Sequence, residues 1–250
     1  MKLINLLLQP LKSVYRNLPE PIIRIVTKFY QRQELVPMDI LPGKYQEALE
    51  MVLAQRGEQE LGDYLEFGVY QGSAMSCMYH AASSLGLNKM KFIGFDSFEG
   101  MPEQSNHEDE NVWNSGEFYS SLPNTKVYLS KNGVDMSRVA LIKGWFDDTC
   151  NPKTVQQHNI RKAAVINIDC DIYSSTKTAL EFCKPFIQDD VVIFFDDWNS
   201  YDLAAKGLGE RKAFEEFLAT NTHLSARELK NLSYNKESTA FYVQVTAMIT

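Results

Sequence analysis

The stretch Tyr64-Leu65-Glu66-Phe67-Gly68-Val69-Tyr70-Gln71-Gly72-Ser73 reads as a short buried strand, a glycine turn and the mouth of a helix. Gly68 and Gly72 have no Cβ, so the backbone can turn sharply after the strand and come close to a ligand, and Ser73 is placed to cap the following helix. A second strand, Lys91-Phe92-Ile93-Gly94-Phe95-Asp96, ends in an acid roughly two dozen residues past Gly72, where a carboxylate can accept hydrogen bonds from both hydroxyls of a ribose. The turn is wider than the G-x-G-x-x-G of pyrophosphate-binding folds, and Glu66 stands in place of the first glycine. A carboxylate at that position repels a pyrophosphate and suits a cation such as S-adenosylmethionine, whose sulfonium and ammonium groups are both positive. The pattern therefore argues against NAD and ATP.

The chain has 250 residues, 44% hydrophobic and 23% charged, which suits one α/β domain with a full core. Its formal charge is −7 and no run of Lys or Arg stands out, so sequence-independent binding to nucleic acid is disfavoured. Cys77, Cys150, Cys170 and Cys183 are scattered without C-x-x-C spacing, as expected of thiols in a reducing compartment. The start, Met1 to Leu8, has a brief apolar run without a small-x-small cleavage site, and no apolar run reaches the roughly 20 residues that span a bilayer. The expectation is a cytoplasmic protein.

Residues 1–43 read as an N-terminal helical extension, broken at Pro10 and at Pro19-Glu20-Pro21. The apolar stripe Ile22, Ile23, Ile25, Val26 and Phe29 suits packing on the core or a homodimer partner. Lys2, Lys12, Arg16, Arg24, Lys28 and Arg32 also make the extension a candidate for weak contact with a membrane surface. Residues 44–250 read as the main domain. A helix is expected from Lys44 to Arg56, closed by Gly57, and strands at Asp63–Phe67, Lys91–Asp96, Val139–Lys143, Ala163–Ile168 and Asp190–Phe195 alternate with helices. That alternation predicts a parallel sheet with helices on both faces. Two last strands, near Ala226–Leu232 and at Thr239–Val245, leave no room for a crossover helix and should pair antiparallel, giving seven strands. The polar stretch from Ser97 to Ser121 has the length of a mobile lid, and His107 within it could assist proton transfer.

Two strands run into acids: Asn167-Ile168-Asp169-Cys170-Asp171 and Phe194-Phe195-Asp196-Asp197-Trp198. The carboxyl ends of strands line the ligand crevice of open α/β sheets, so four carboxylates converge on one edge. If the strand continues through them, Asp169 and Asp171 point to the same side. Such like charges are costly together unless a cation lies between them, and hard oxygen ligands suit Mg²⁺ or another divalent ion.

With these residues assembled, the chain from about Lys44 onward resembles the macrocin O-methyltransferase family, the class I S-adenosylmethionine-dependent enzymes that methylate sugar hydroxyls on macrolides and aminocoumarins. The motifs that carry the resemblance are Leu65 to Ser73, Gly94 to Pro102, Gly144-Trp145-Phe146-Asp147-Asp148-Thr149, Asp169 to Thr176 and Asp196-Asp197-Trp198. It implies a Rossmann-like class I methyltransferase fold, mostly parallel with the last strand antiparallel. It also implies that Glu66, Gly68, Gly72 and Ser73 contact the methionine end of the cofactor, that Asp96 and Ser97 hold the ribose, and that Gly144 and Trp145 lie by the adenine. Asp169, Asp196 and Asp197 match the family's metal ligands and Asp171 its general base. Cys170 and Trp198 depart from the residues usual at their positions. The implied acceptor is a sugar or other diol hydroxyl. A metal-dependent catechol or phenol O-methyltransferase, or a non-catalytic cofactor-binding scaffold, are the other readings, and a hydrolase is disfavoured because no G-x-S-x-G elbow is present.

Overall fold

The computed structural model describes residues 36–57 and 61–246. The Ile22–Phe29 stripe and the basic positions from Lys2 to Arg32, expected to serve a homodimer or a membrane surface, lie outside the described residues. None of the described helices is long and apolar enough to cross a membrane.

Seven strands form one sheet: β1 (Asp63–Phe67), β2 (Phe92–Asp96), β3 (Val139–Lys143), β4 (Ala163–Ile168), β5 (Val191–Phe195), β6 (Leu224–Glu228) and β7 (Thr239–Val245). They lie in the order β3-β2-β1-β4-β5-β7-β6, all pairing parallel except β7, which is antiparallel to both β5 and β6. The helices are α1 (Leu41–Arg56), α2 (Ser73–Ser84), α3 (Leu122–Lys131), α4 (Phe146–Thr149), α5 (Pro152–His158), α6 (Tyr173–Cys183) and α7 (Gly209–Thr220). The expected α/β architecture is thus present, mostly parallel with helices on both faces.

Every residue of β4 and β5 is buried, because parallel strands at the centre of such a sheet are covered on both sides. Alternation divides their side chains between two layers. Phe194 joins Tyr45, Leu49 and Met75 under α1 and α2, whereas Phe195 joins Leu180 and Phe214 under α6 and α7. Full burial of each phenylalanine stabilises the fold by about 1.5–3 kcal/mol. The strand order reverses between β1 and β4, so the crevice that ligands use opens at their carboxyl ends.

Boundaries differ from expectation by one residue at the starts of β2 and β5, and by more in α1 and β6. Helix α1 begins at Leu41 rather than Lys44, because Pro42 falls in the first turn, where a missing N–H costs nothing. Strand β6 ends at Glu228 rather than running to Leu232. Leu229 and Leu232 are drawn into the core, with the Leu232 N–H donating to the Leu229 carbonyl at 2.8 Å, so the chain curls inward instead of extending.

Candidate active site

The glycine turn follows β1 directly. Gly68 has φ +88°, and its N–H donates to the Phe95 carbonyl at 2.9 Å. Gly72 has φ +91° and is itself the N-cap of α2, with Ser73 in the first helical turn. Ser73 therefore does not cap the helix, since the left-handed conformation of the glycine brings the chain into the helix without a side-chain bond.

Asp96, at the end of β2, folds onto this turn. One carboxylate oxygen accepts from the N–H groups of Val69 and Tyr70, both at 2.8 Å, and the other from Phe98 at 2.5 Å. Burial raises the carboxyl above its usual range against the pull of those three donors. Of the roughly four lone-pair directions of a carboxylate, about one is left for a ribose hydroxyl. Ser97 is also committed locally, donating to the Gly100 carbonyl and accepting from the Glu99 N–H. Gly144 extends the same edge, its N–H donating to the Asp96 carbonyl at 3.0 Å, and the indole of Trp145 beside it is 38% exposed. Glu66 sits deeper. It is sealed from solvent, and burial holds its carboxyl well above the normal range against the pull of the Tyr64 hydroxyl.

Across the switch point stand the acids. Main-chain bonds from Asp169 N–H to Phe67 O and from Asp196 N–H to Ile168 O carry the ladder one step beyond the strands. One oxygen from each of Asp169, Asp196 and Asp197 lies within 4.8 Å of the others. Asp171 joins them by a different route from the one expected. Strand β4 stops at Ile168, and Asp171 adopts φ +66°, a left-handed turn that sends its carboxyl to Asp197. Burial raises the carboxyls of Asp169 and Asp171 well above their ordinary values and that of Asp196 to about 7, with neighbouring carboxylates adding to each rise. Burial raises Asp197 too. Three hard oxygen donors converging without a basic partner among the described residues are a donor set that fits a divalent ion.

A supporting layer that sequence reasoning missed surrounds these acids. The Tyr234 hydroxyl donates to Asp196, the Ser200 hydroxyl donates to Asp197 at 2.8 Å, and the Asp197 N–H donates to Glu210 at 3.1 Å. Tyr234 lies in the β6–β7 connection, which carried no signal beyond its turn residues. The stretch from Ser97 to Ser121 is also more than a free lid. Asp109 is buried and accepts from the first N–H of α6, Tyr173, and the first of α7, Gly209, each at 2.9 Å, while Glu108 accepts from Ser174 at 3.0 Å. Orphan N–H groups at two helix starts thus tie the segment down. His107 beside them is exposed at the surface.

The profile of the family described as macrocin-O-methyltransferase (TylF) matches residues 43–223. A Streptomyces olivaceus protein, 8-demethyl-8-(2,3-dimethoxy-alpha-L-rhamnosyl)-tetracenomycin-C 4'-O-methyltransferase, is 29% identical over 143 residues, 55% of this chain and 53% of its own. The chain thus spans about half the length of that curated relative. Among solved structures, the O-methyltransferase NovP superposes with a TM-score of 0.61 at 19% identity, covering 82% of this chain and 80% of its own. The calicheamicin methyltransferase CalS11 gives 0.59 at 20%, covering 93% and 89%. The two structures share the fold, and the profile spans both the glycine turn and the acid cluster: the chain belongs to the macrocin O-methyltransferase family, whose members are S-adenosylmethionine-dependent O-methyltransferases.

Proposed function

We propose that this protein transfers a methyl group from S-adenosylmethionine to a hydroxyl of a sugar on a natural product, assisted by a divalent cation such as Mg²⁺. The observation that carries the reading is the convergence of Asp169, Asp196 and Asp197 beside the Gly68 turn. The Streptomyces relative, named for methylation of a rhamnosyl group, supports a sugar as acceptor.

The bound cofactor supplies an electrophilic methyl on a sulfonium, and a cation held by Asp169, Asp196 and Asp197 supplies charge that orients and acidifies an acceptor hydroxyl. The rest falls to the chain. The turn from Gly68 to Gly72, pinned by Asp96, forms the cofactor cradle, with Ser97 at the ribose and Gly144 and Trp145 at the adenine. Glu66, buried at the methionine end with its carboxyl raised by burial, gains its negative charge most readily when a cationic group lies beside it. Asp171 takes the hydroxyl proton. A general base works best with a pKa near the working pH, and burial lifts this carboxyl in that direction. Holding donor and acceptor at the same strand ends supplies orientation.

Calorimetric titration of S-adenosylmethionine tests this reading, paired with methyl-transfer assays on wild type and Asp171→Asn. Cofactor affinity should be nearly the same in both, and turnover should fall by about 10²–10⁴-fold in the variant. Full turnover by Asp171→Asn would remove Asp171 as the base.

A further inference from the structure

Above the acids lies a group of aromatic rings that the cofactor cradle does not use. Phe118 and Tyr201 are 37% and 43% exposed, although they come from loops far apart in sequence. Both meet the buried Trp113 edge to face, Tyr201 with ring centroids 5.0 Å apart and Phe118 at 6.3 Å. Tyr70, from the cofactor turn, meets Phe118 at 6.3 Å in the same manner.

Three further observations tie these rings to the reaction centre. Tyr201 directly follows Ser200, whose hydroxyl donates to Asp197, and its own hydroxyl lies within the electrostatic reach of Glu117, Asp197 and Asp171. Phe118 and Tyr201 have φ +54° and +53°, a left-handed backbone that bulky side chains rarely adopt and that clusters at functional sites. The indole N–H of Trp113 is buried with no hydrogen-bond partner among the described residues, although such donors are almost always satisfied.

We propose that Tyr201 and Phe118, braced from beneath by the buried Trp113, form the acceptor rim, which stacks against the C–H face of a neutral pyranose ring and turns one of its hydroxyls toward Asp171. This rests on the methyl-transfer reading and names the acceptor surface. Aromatic faces carry negative charge density and attract the weakly positive C–H groups of a sugar ring. Glu117, held by the side chain and N–H of Asn114 at 2.8 and 3.1 Å, lies within the electrostatic reach of both Tyr201 and Asp171 and serves as an acceptor for sugar hydroxyls. The surrounding carboxylates would repel a phosphate or carboxylate at this position, so the ring that lies here is uncharged.

Saturation-transfer NMR tests the proposal with methyl α-L-rhamnopyranoside as probe, in the presence of S-adenosylhomocysteine and Mg²⁺. Wild type should transfer saturation to the ring C–H protons. Tyr201→Ala and Phe118→Ala should each weaken the glycoside ~5-fold or more while leaving S-adenosylhomocysteine affinity unchanged, which also shows that the variants are folded. Equal glycoside binding by wild type and both variants would overturn the rim. So would catechol binding in place of the glycoside, or no glycoside binding by a protein that holds S-adenosylhomocysteine, and the methyl-transfer reading would survive either result. Failure to bind S-adenosylhomocysteine would remove that reading, and the rim with it.

Discussion

Gly68 lies so close to Asp169 that a Cβ on it would sit 2.6 Å from the Asp169 carbonyl carbon and closer still to the oxygen. The first residue of the glycine turn and the first acid of the cluster proposed to hold a cation are therefore one packing unit. Gly68→Ala must push these strand ends apart and also place a side chain at φ +88°. The conformation alone costs about 1–2 kcal/mol. S-adenosylmethionine affinity should fall by more than tenfold and Mn²⁺ affinity should fall with it. Calorimetry with each ligand in turn checks the coupling, and a variant that loses only one of the two would break it.

Asp109 joins the starts of α6 and α7 through two oxygens on one carboxylate. Asp109→Ala leaves both N–H groups unsatisfied in a buried place, at about 1–3 kcal/mol. For a chain of this size each kcal/mol lowers Tm by roughly 2–4 °C. A scanning fluorimetry shift of several degrees is expected. An unchanged Tm would mean that the Ser97–Ser121 segment is held by other contacts.

Tyr234 fixes the Asp196 carboxylate through its hydroxyl. Partners of this kind orient metal ligands, and losing one costs about 10–100-fold in affinity. Tyr234→Phe keeps the ring in its buried site, so Mn²⁺ should bind more weakly while S-adenosylmethionine binds as before. Paramagnetic titration followed by EPR reads the first and calorimetry the second.

The pH dependence of cation binding follows from the sign of the shifts. The Asp196 carboxyl is raised to about 7, so below that pH the folded protein without a cation holds a proton there, and a cation must displace it. Proton uptake stabilises the cation-free fold below the ordinary carboxylate range, and this contribution is lost as pH rises through about 7. Cation affinity should therefore increase between pH 6 and pH 8, with protons released on binding. Calorimetry in two buffers of different ionisation enthalpy counts those protons, and no release at pH 6 would contradict the shift.

The centre of the sheet was legible because its strands are short, mostly apolar runs, whereas β6, with four of its five residues exposed, was misplaced in its bounds. Val191 to Phe195 can only be a strand buried on both faces, and Thr239 to Val245 falls where its apolar residues run. The acids at the ends of β4 and β5 were legible for the same reason, since the end of each strand was visible. Geometry that depends on contacts between distant segments was hidden. Nothing in the sequence near Asp109 says that its carboxylate meets Tyr173 and Gly209, and nothing near Tyr234 says that the β6–β7 connection folds back over Asp196. The left-handed turn at Asp171 was hidden too, because the residue type permits a strand as readily as a turn at that point.

The central claim is that the carboxylates beside the cofactor turn hold a cation that methyl transfer requires. The most direct measurement is transfer of labelled methyl from S-adenosylmethionine to a panel of sugar glycosides, before and after exhaustive chelation and again after Mg²⁺ is restored. Transfer that disappears with the chelator and returns with Mg²⁺ is predicted, and Asp196→Asn should not recover it at the same Mg²⁺ concentration. Transfer undiminished by chelation would contradict the account, leaving Asp169, Asp196 and Asp197 with no cation to hold.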